Sequence, residues 1–80
     1  MNNRYPNLTT ASLRVILTAA PGAEITPHLV TAATRGQGDF AEVIADLDRV
    51  HMIDETRTLT PLAIRYAAMC RREHGRRKPP

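Results

Sequence analysis

The sequence predicts a mainly helical domain of about four helices carrying one small β-hairpin. Three observations lead there. Apolar residues recur at spacings of three and four in four separate segments. Each segment is opened by a Thr or Asp suited to cap a helix. One stretch, Met52 to Leu62 (MIDETRTLTPL), breaks the helical period with a polar turn and an alternating run.

The elements follow in order. Residues 1–7 show no periodicity and are expected to be a flexible arm. In LTTASLRVILTAA, Leu8, Leu13, Ile16, Leu17 and Ala20 fall on one stripe, with Thr9 as cap and Leu8 and Leu13 placed to staple the first turn. Pro21-Gly22 ends this first helix, and Ala23-Glu24-Ile25 forms a short extended link. Thr26-Pro27 opens the second helix, HLVTAATR, which stops at Gly36. After the Gly36-Gln37-Gly38 turn, Asp39 and Glu42 make a D-x-x-E capping pair at the head of the third helix. Its buried face should be Phe40, Val43, Ile44, Leu47 and Val50, with fraying near His51. Thr56, Thr58 and Thr60 alternate with Arg57 and Leu59 as in a strand. Thr60-Pro61 then opens a fourth helix with Leu62, Tyr66, Met69 and Cys70 inward, ending near His74-Gly75. The domain is expected over 8–74, followed by a disordered basic tail over 75–80.

Composition narrows the classes. The chain has 80 residues, 42% of them hydrophobic but only 4% aromatic, so its core must be aliphatic and alanine-rich. A single cysteine excludes an internal disulfide and a thiolate-rich zinc site, and Cys70 reads as a small core residue in a reducing compartment. No apolar run is long enough to span a bilayer, and MNNRYPNL lacks a signal-peptide core, so a cytoplasmic protein with no membrane partner is expected. His28, His51 and His74 lie on different elements and make no metal site. No nucleophile–base pair and no phosphate-binding glycine loop is present, so neither catalysis nor a cofactor is expected. Eighty residues leave little spare length for a separate ligand-sensing domain, so regulation by a small molecule is not expected.

The net charge of +3 is unevenly spread. Residues 39–55 carry Asp39, Glu42, Asp46, Asp48, Asp54 and Glu55 against Arg49, a net of −5. Residues 56–80 carry six arginines and Lys78 against Glu73, a net of +6. A basic tail of this kind suits phosphates, and the acidic segment does not.

The run ASLRVILTAAPGAEITPHLVTAAT, then FAEVIADLDRVHMID, then TRTLTPLAIRYAA resembles the winged helix-turn-helix domains of small bacterial and phage transcription regulators. Val50, Met52 and Ile53 stand where such domains pass from the third helix into the first wing strand. Leu59-Thr60-Pro61-Leu62 stands where the second strand runs into a helix. The likeness covers about residues 8–72 and rests on hydrophobicity and caps.

It implies a two-stranded wing and a sequence-specific, repressor-like regulator that occupies an operator in double-stranded DNA as a homodimer. The first and last helices would form the dimer contact. The expected DNA contacts are Arg35 and Gln37 before the third helix, Arg49 on it, Arg57 in the wing, and Arg71, Arg72, Arg76, Arg77 and Lys78 in the basic run. The third helix departs from this pattern. Its solvent-facing positions are expected to be Ala41, Glu42, Ala45, Asp46, Asp48 and Arg49. Asp39 and Glu42 are explained as caps, whereas Asp46 and Asp48 would oppose phosphate. The rival expectation is a protein-interaction module that uses Glu42, Asp46 and Asp48 against a basic partner or a second copy.

Overall fold

The computed structural model describes residues 8–76, with side chains through residue 73. It is mainly helical, with α1 (Thr10–Thr18), α2 (Pro27–Thr34), α3 (Phe40–Arg49) and α4 (Pro61–Arg76). All four helices begin where the capping residues stand. The Thr9 hydroxyl accepts from the Ser12 amide at 3.1 Å, and the Thr26 hydroxyl from the Leu29 amide at 3.1 Å. Asp39 accepts from the Glu42 amide at 3.1 Å, and the Thr60 hydroxyl from the Ala63 amide at 3.3 Å. Each bond satisfies an amide that the helix itself leaves without a partner.

The helix ends are less conventional. Arg35 closes α2 in the left-handed region at φ 57°, and the following Gly36 is also positive at φ 81°. The third helix does not fray at His51. There the Met52 amide donates to the Leu47 carbonyl at 2.8 Å and the His51 amide to the Asp48 carbonyl at 3.1 Å. These bonds close a Schellman-type end, with His51 at φ 61° where glycine is the usual choice. Leu47 and Met52, fully buried, supply the apolar pair that accompanies such an end. The fourth helix is described to Arg76, one residue beyond the expected end near His74-Gly75, and takes Gly75 into its last turn. One interior glycine costs only about 1 kcal/mol against alanine. Arginines near a helix C-terminus offset part of that cost through the helix dipole. Residues 77–80, and with them most of the expected tail, lie outside the described residues, as does the expected arm over 1–7.

The core joins Val15, Ile16 and Ala19 of α1 to Ile25, Val30, Val43, Leu47, Met52, Ile53, Leu59 and Ala63. Because α1 packs against all three other helices, its innermost line is Ser12, Val15, Ile16 and Ala19. The expected stripe is therefore rotated: Leu13 and Leu17 are half-buried shoulders and Ala20 is exposed. A similar correction applies to α4. Ala63 and Ala67 are its buried residues, Tyr66, Met69 and Cys70 are half-buried, and Leu62 is 45% exposed instead of inward. Small alanines let α4 lie close to α1 and push the larger side chains to the flanks. On α3, Val43 and Leu47 are buried, while Phe40, Ile44 and Val50 are half-buried.

The expected two-stranded wing is not formed as such. Between α3 and α4 a single antiparallel bridge pairs Ile53 with Leu59. Two backbone bonds flank it, from the Thr60 amide to the Met52 carbonyl (3.0 Å) and from the Asp54 amide to the Thr58 carbonyl (3.1 Å). Pairing stops there for a local reason. The Arg57 amide takes the Asp54 carbonyl at 2.9 Å, so the Thr58 amide turns to the Asp54 carboxylate at 3.2 Å. The loop is a type I turn followed by Arg57 in the left-handed region at φ 62°, the three-residue hairpin with a bulge. The expected Ala23–Ile25 extension joins this unit through one bond, Ile25 amide to Arg57 carbonyl at 2.9 Å.

Candidate interaction groove

The third helix meets two different neighbours along its two edges. On the edge toward α1, Gly38 sits so close that an added Cβ would lie 2.8 Å from Thr34 Cγ2 and 3.2 Å from the Ala11 methyl. The same edge carries Asp46. Its carboxylate accepts from the Thr9 amide at 3.2 Å and from Arg49 at 2.6 Å. With only 12% of its side chain exposed, Asp46 bridges the start of α1 to the end of α3. Partial burial pushes its pKa up, but hydrogen bonds from Arg49, Ser12 and Thr9 together outweigh that and hold it below the usual value. The expectation of a solvent-facing Asp46 is thus corrected. It is a second acceptor at the N-terminus of α1, 37 residues away in sequence, where a negative charge also suits the helix dipole.

Along its other edge, α3 faces the hairpin across an open groove of about 410 Å³. Phe40, Ala41, Ile44 and Ala45 of α3 and Ile53 of the hairpin supply apolar lining. Asp48 stands on the helix side, and Asp54, Glu55 and Arg57 on the hairpin side. Three carboxylates against one guanidinium leave the lining with a formal charge of −2. The Arg57 guanidinium lies 5.4 Å from the centre of the Phe40 ring, within cation–π range. The cation therefore borders the aromatic end of the groove.

The hairpin side is held by Asp54. Its carboxylate accepts from the Thr56 amide (2.9 Å) and hydroxyl (2.6 Å), and from the Thr58 amide (3.2 Å) and hydroxyl (2.9 Å). The Thr56 hydroxyl, then the Thr58 amide and hydroxyl, lower its pKa to about 2. Asp54 consequently stays charged across the neutral range. Two of the three alternating threonines read from the sequence as strand residues, Thr56 and Thr58, are here donors to one carboxylate.

The expected DNA contacts are spread over several elements. Arg35 and Gln37 are exposed in the turn between α2 and α3. Arg49 is exposed on α3 but ion-paired with Asp46. Arg57 lies in the hairpin. Arg71 donates to the Leu17 carbonyl at 2.6 Å, occupying an acceptor in the last turn of α1. Arg72 is exposed on α4, and the backbone of Arg76 is its last residue. Arg77 and Lys78 lie outside the described residues. Of the acidic candidates, Glu42 and Asp48 are exposed on α3, and Asp46 is not.

Sequence reasoning missed the groove itself. The sequence places Phe40 and Ile44 on the buried face of the third helix, Ile53 at the passage into the first wing strand and Glu55 in the acidic segment. The signal for Asp54 was present in Asp54-x-Thr56-x-Thr58, the spacing of an Asx-type turn. Among the described residues, no cluster of His, Cys, Asp or Glu could hold a metal ion, and no helix is long and apolar enough to cross a membrane. No family model matches the chain, and neither a curated protein nor a solved structure matches it.

Proposed function

We propose that the chain is a small, non-catalytic module of winged-helix type whose α3–hairpin groove binds a cationic, partly apolar protein segment. One observation carries this reading. The groove that a winged helix would turn toward DNA combines an apolar lining with Asp48, Asp54 and Glu55 against Arg57 alone. Such a surface repels a phosphate backbone and suits a partner bearing Arg or Lys beside aliphatic groups. Asp54 supports it further, because a carboxylate held by four donated hydrogen bonds presents fixed negative charge with little side-chain freedom to lose on binding.

DNA-binding regulation is the second reading, favoured by a different observation. Arg35 and Arg57 both occupy left-handed backbone positions, at φ 57° and 62°. A non-glycine residue there costs about 1 kcal/mol or more. Glycine would remove that cost, so an arginine at each position is consistent with use of the side chain. On this reading the two guanidiniums and the basic C-terminal run contact phosphates as a dimer on operator DNA.

One pair of titrations separates the readings. A fluorescent Arg-rich amphipathic peptide and a labelled DNA duplex are each titrated with the full chain at low salt. Peptide binding that weakens when Asp48 and Glu55 are both changed to Lys is the expected result. Duplex binding that is lost on changing Arg35 and Arg57 to Ala, without peptide binding, would replace it with the second reading.

A further inference from the structure

We infer that the segment seated in the groove is the outer face of α4 from a second copy of this chain. This rests on the groove reading above and names its partner. The only large apolar side chains exposed among the described residues, Leu62 (45%) and Ile64 (37%), both lie in the first turn of α4. At about 100° per residue, the side of α4 opposite the buried Ala63 and Ala67 is centred on Arg65 and Arg72. Leu62 falls on one flank of that pair and Ile64 on the other. The helix thus presents two exposed cations in line, the first of them, Arg65, between aliphatic shoulders, the inverse of a groove with apolar lining and walls bearing Asp48 and Glu55. Arg65 and Arg72 are about 10 Å apart along the axis, two turns of helix.

In the chain itself α4 packs on α1, so its outer face is turned away from the core that it shares with the groove. Contact between the two surfaces therefore joins different copies. The interface pairs unlike patches. Two copies can satisfy both pairings at once by a two-fold arrangement, and a head-to-tail arrangement extends further.

The test is a charge exchange followed by sedimentation velocity on the full chain at about 50 mM and about 500 mM salt. The unmodified chain should associate with increasing concentration at low salt and at least about fivefold more weakly at high salt. Two variants are then made, Asp48→Lys with Glu55→Lys, and Arg65→Glu with Arg72→Glu, with folding checked by circular dichroism. Each alone should be monomeric, because its groove and helix then carry the same sign. Mixed together they should associate, because opposite signs are restored on both contacts. A chain that stays monomeric up to about 1 mM at low salt, or a mixture that fails to associate, overturns the inference. A synthetic peptide covering residues 60–76 separates this failure from that of the underlying reading. If it binds a monomeric chain, the groove still takes cationic segments but the partner is not a second copy. If it does not bind, both fail.

Discussion

The two edges of α3 have similar ingredients and opposite organisation. Toward α1, Gly38 and Asp46 are held within a seam where one methyl has no room and each carboxylate oxygen has a donor. Toward the hairpin, Asp48 stands exposed beside a groove of about 410 Å³. Asp46 and Asp48 are two residues apart, carry the same charge, and differ by about 200° around the helix. That rotation alone makes one a structural tie between helices and leaves the other for solvent or a partner. Charge on a helix is thus not a property of its surface until the neighbours of each edge are known.

The comparison can be broken most severely at Gly38. Gly38→Ala forces Thr34 or Ala11 to move and should lower stability by about 1–3 kcal/mol, read from urea unfolding midpoints. Asp46→Ala comes next, expected to cost about 1–2 kcal/mol because the Thr9 amide loses its acceptor and Arg49 its ion pair with Asp46. An unchanged midpoint would show that the seam does not depend on this tie. On the groove edge the signs differ. Arg57→Gly should stabilise by about 0.5–1 kcal/mol by relieving the left-handed backbone, less whatever the Phe40 contact contributes. Asp48→Lys should leave stability within about 0.5 kcal/mol while weakening binding of the Arg-rich peptide.

Acid sharpens the same contrast. Asp54 has its pKa lowered to about 2, and Asp46 is also lowered. A depressed pKa contributes stability that is complete above the unfolded value near 4 and is lost as pH falls through the folded value. The Thr56 and Thr58 amide resonances should therefore hold their positions from neutrality to about pH 4 and shift only toward pH 2. Asp54→Asn should abolish that transition. A midpoint at the ordinary carboxylate value would contradict the four donated bonds.

Much of the architecture was legible because local chemistry writes it. Thr9, Thr26, Asp39 and Thr60 each start a helix, and each does so through a side-chain oxygen within three residues of its donor. What was not legible depended on distance in sequence or on rotation about an axis. No local pattern ties Asp46 to Thr9, and none shows that Ala63 and Ala67, not Leu62, face α1. The wing was half legible: its apolar ends pair as Ile53 and Leu59. Its length was overestimated because Asp54 draws away the Thr58 amide that a longer ladder would use. The groove could not be read at all, since it exists only where α3 and the hairpin diverge.

The bond from the Ile25 amide to the Arg57 carbonyl is the one backbone tie described between the α1–α2 connection and the hairpin. Ile25 is fully buried, so its amide hydrogen can exchange with solvent only when that tie opens. Its exchange rate in heavy water is consequently a built-in gauge of hairpin opening, readable at a single resonance without any probe attached. Protection at Ile25 that matches the core amides would mean that the hairpin opens only with the whole domain. Faster exchange there would mark the hairpin as a separately opening unit, able to widen the groove while the helices stay folded.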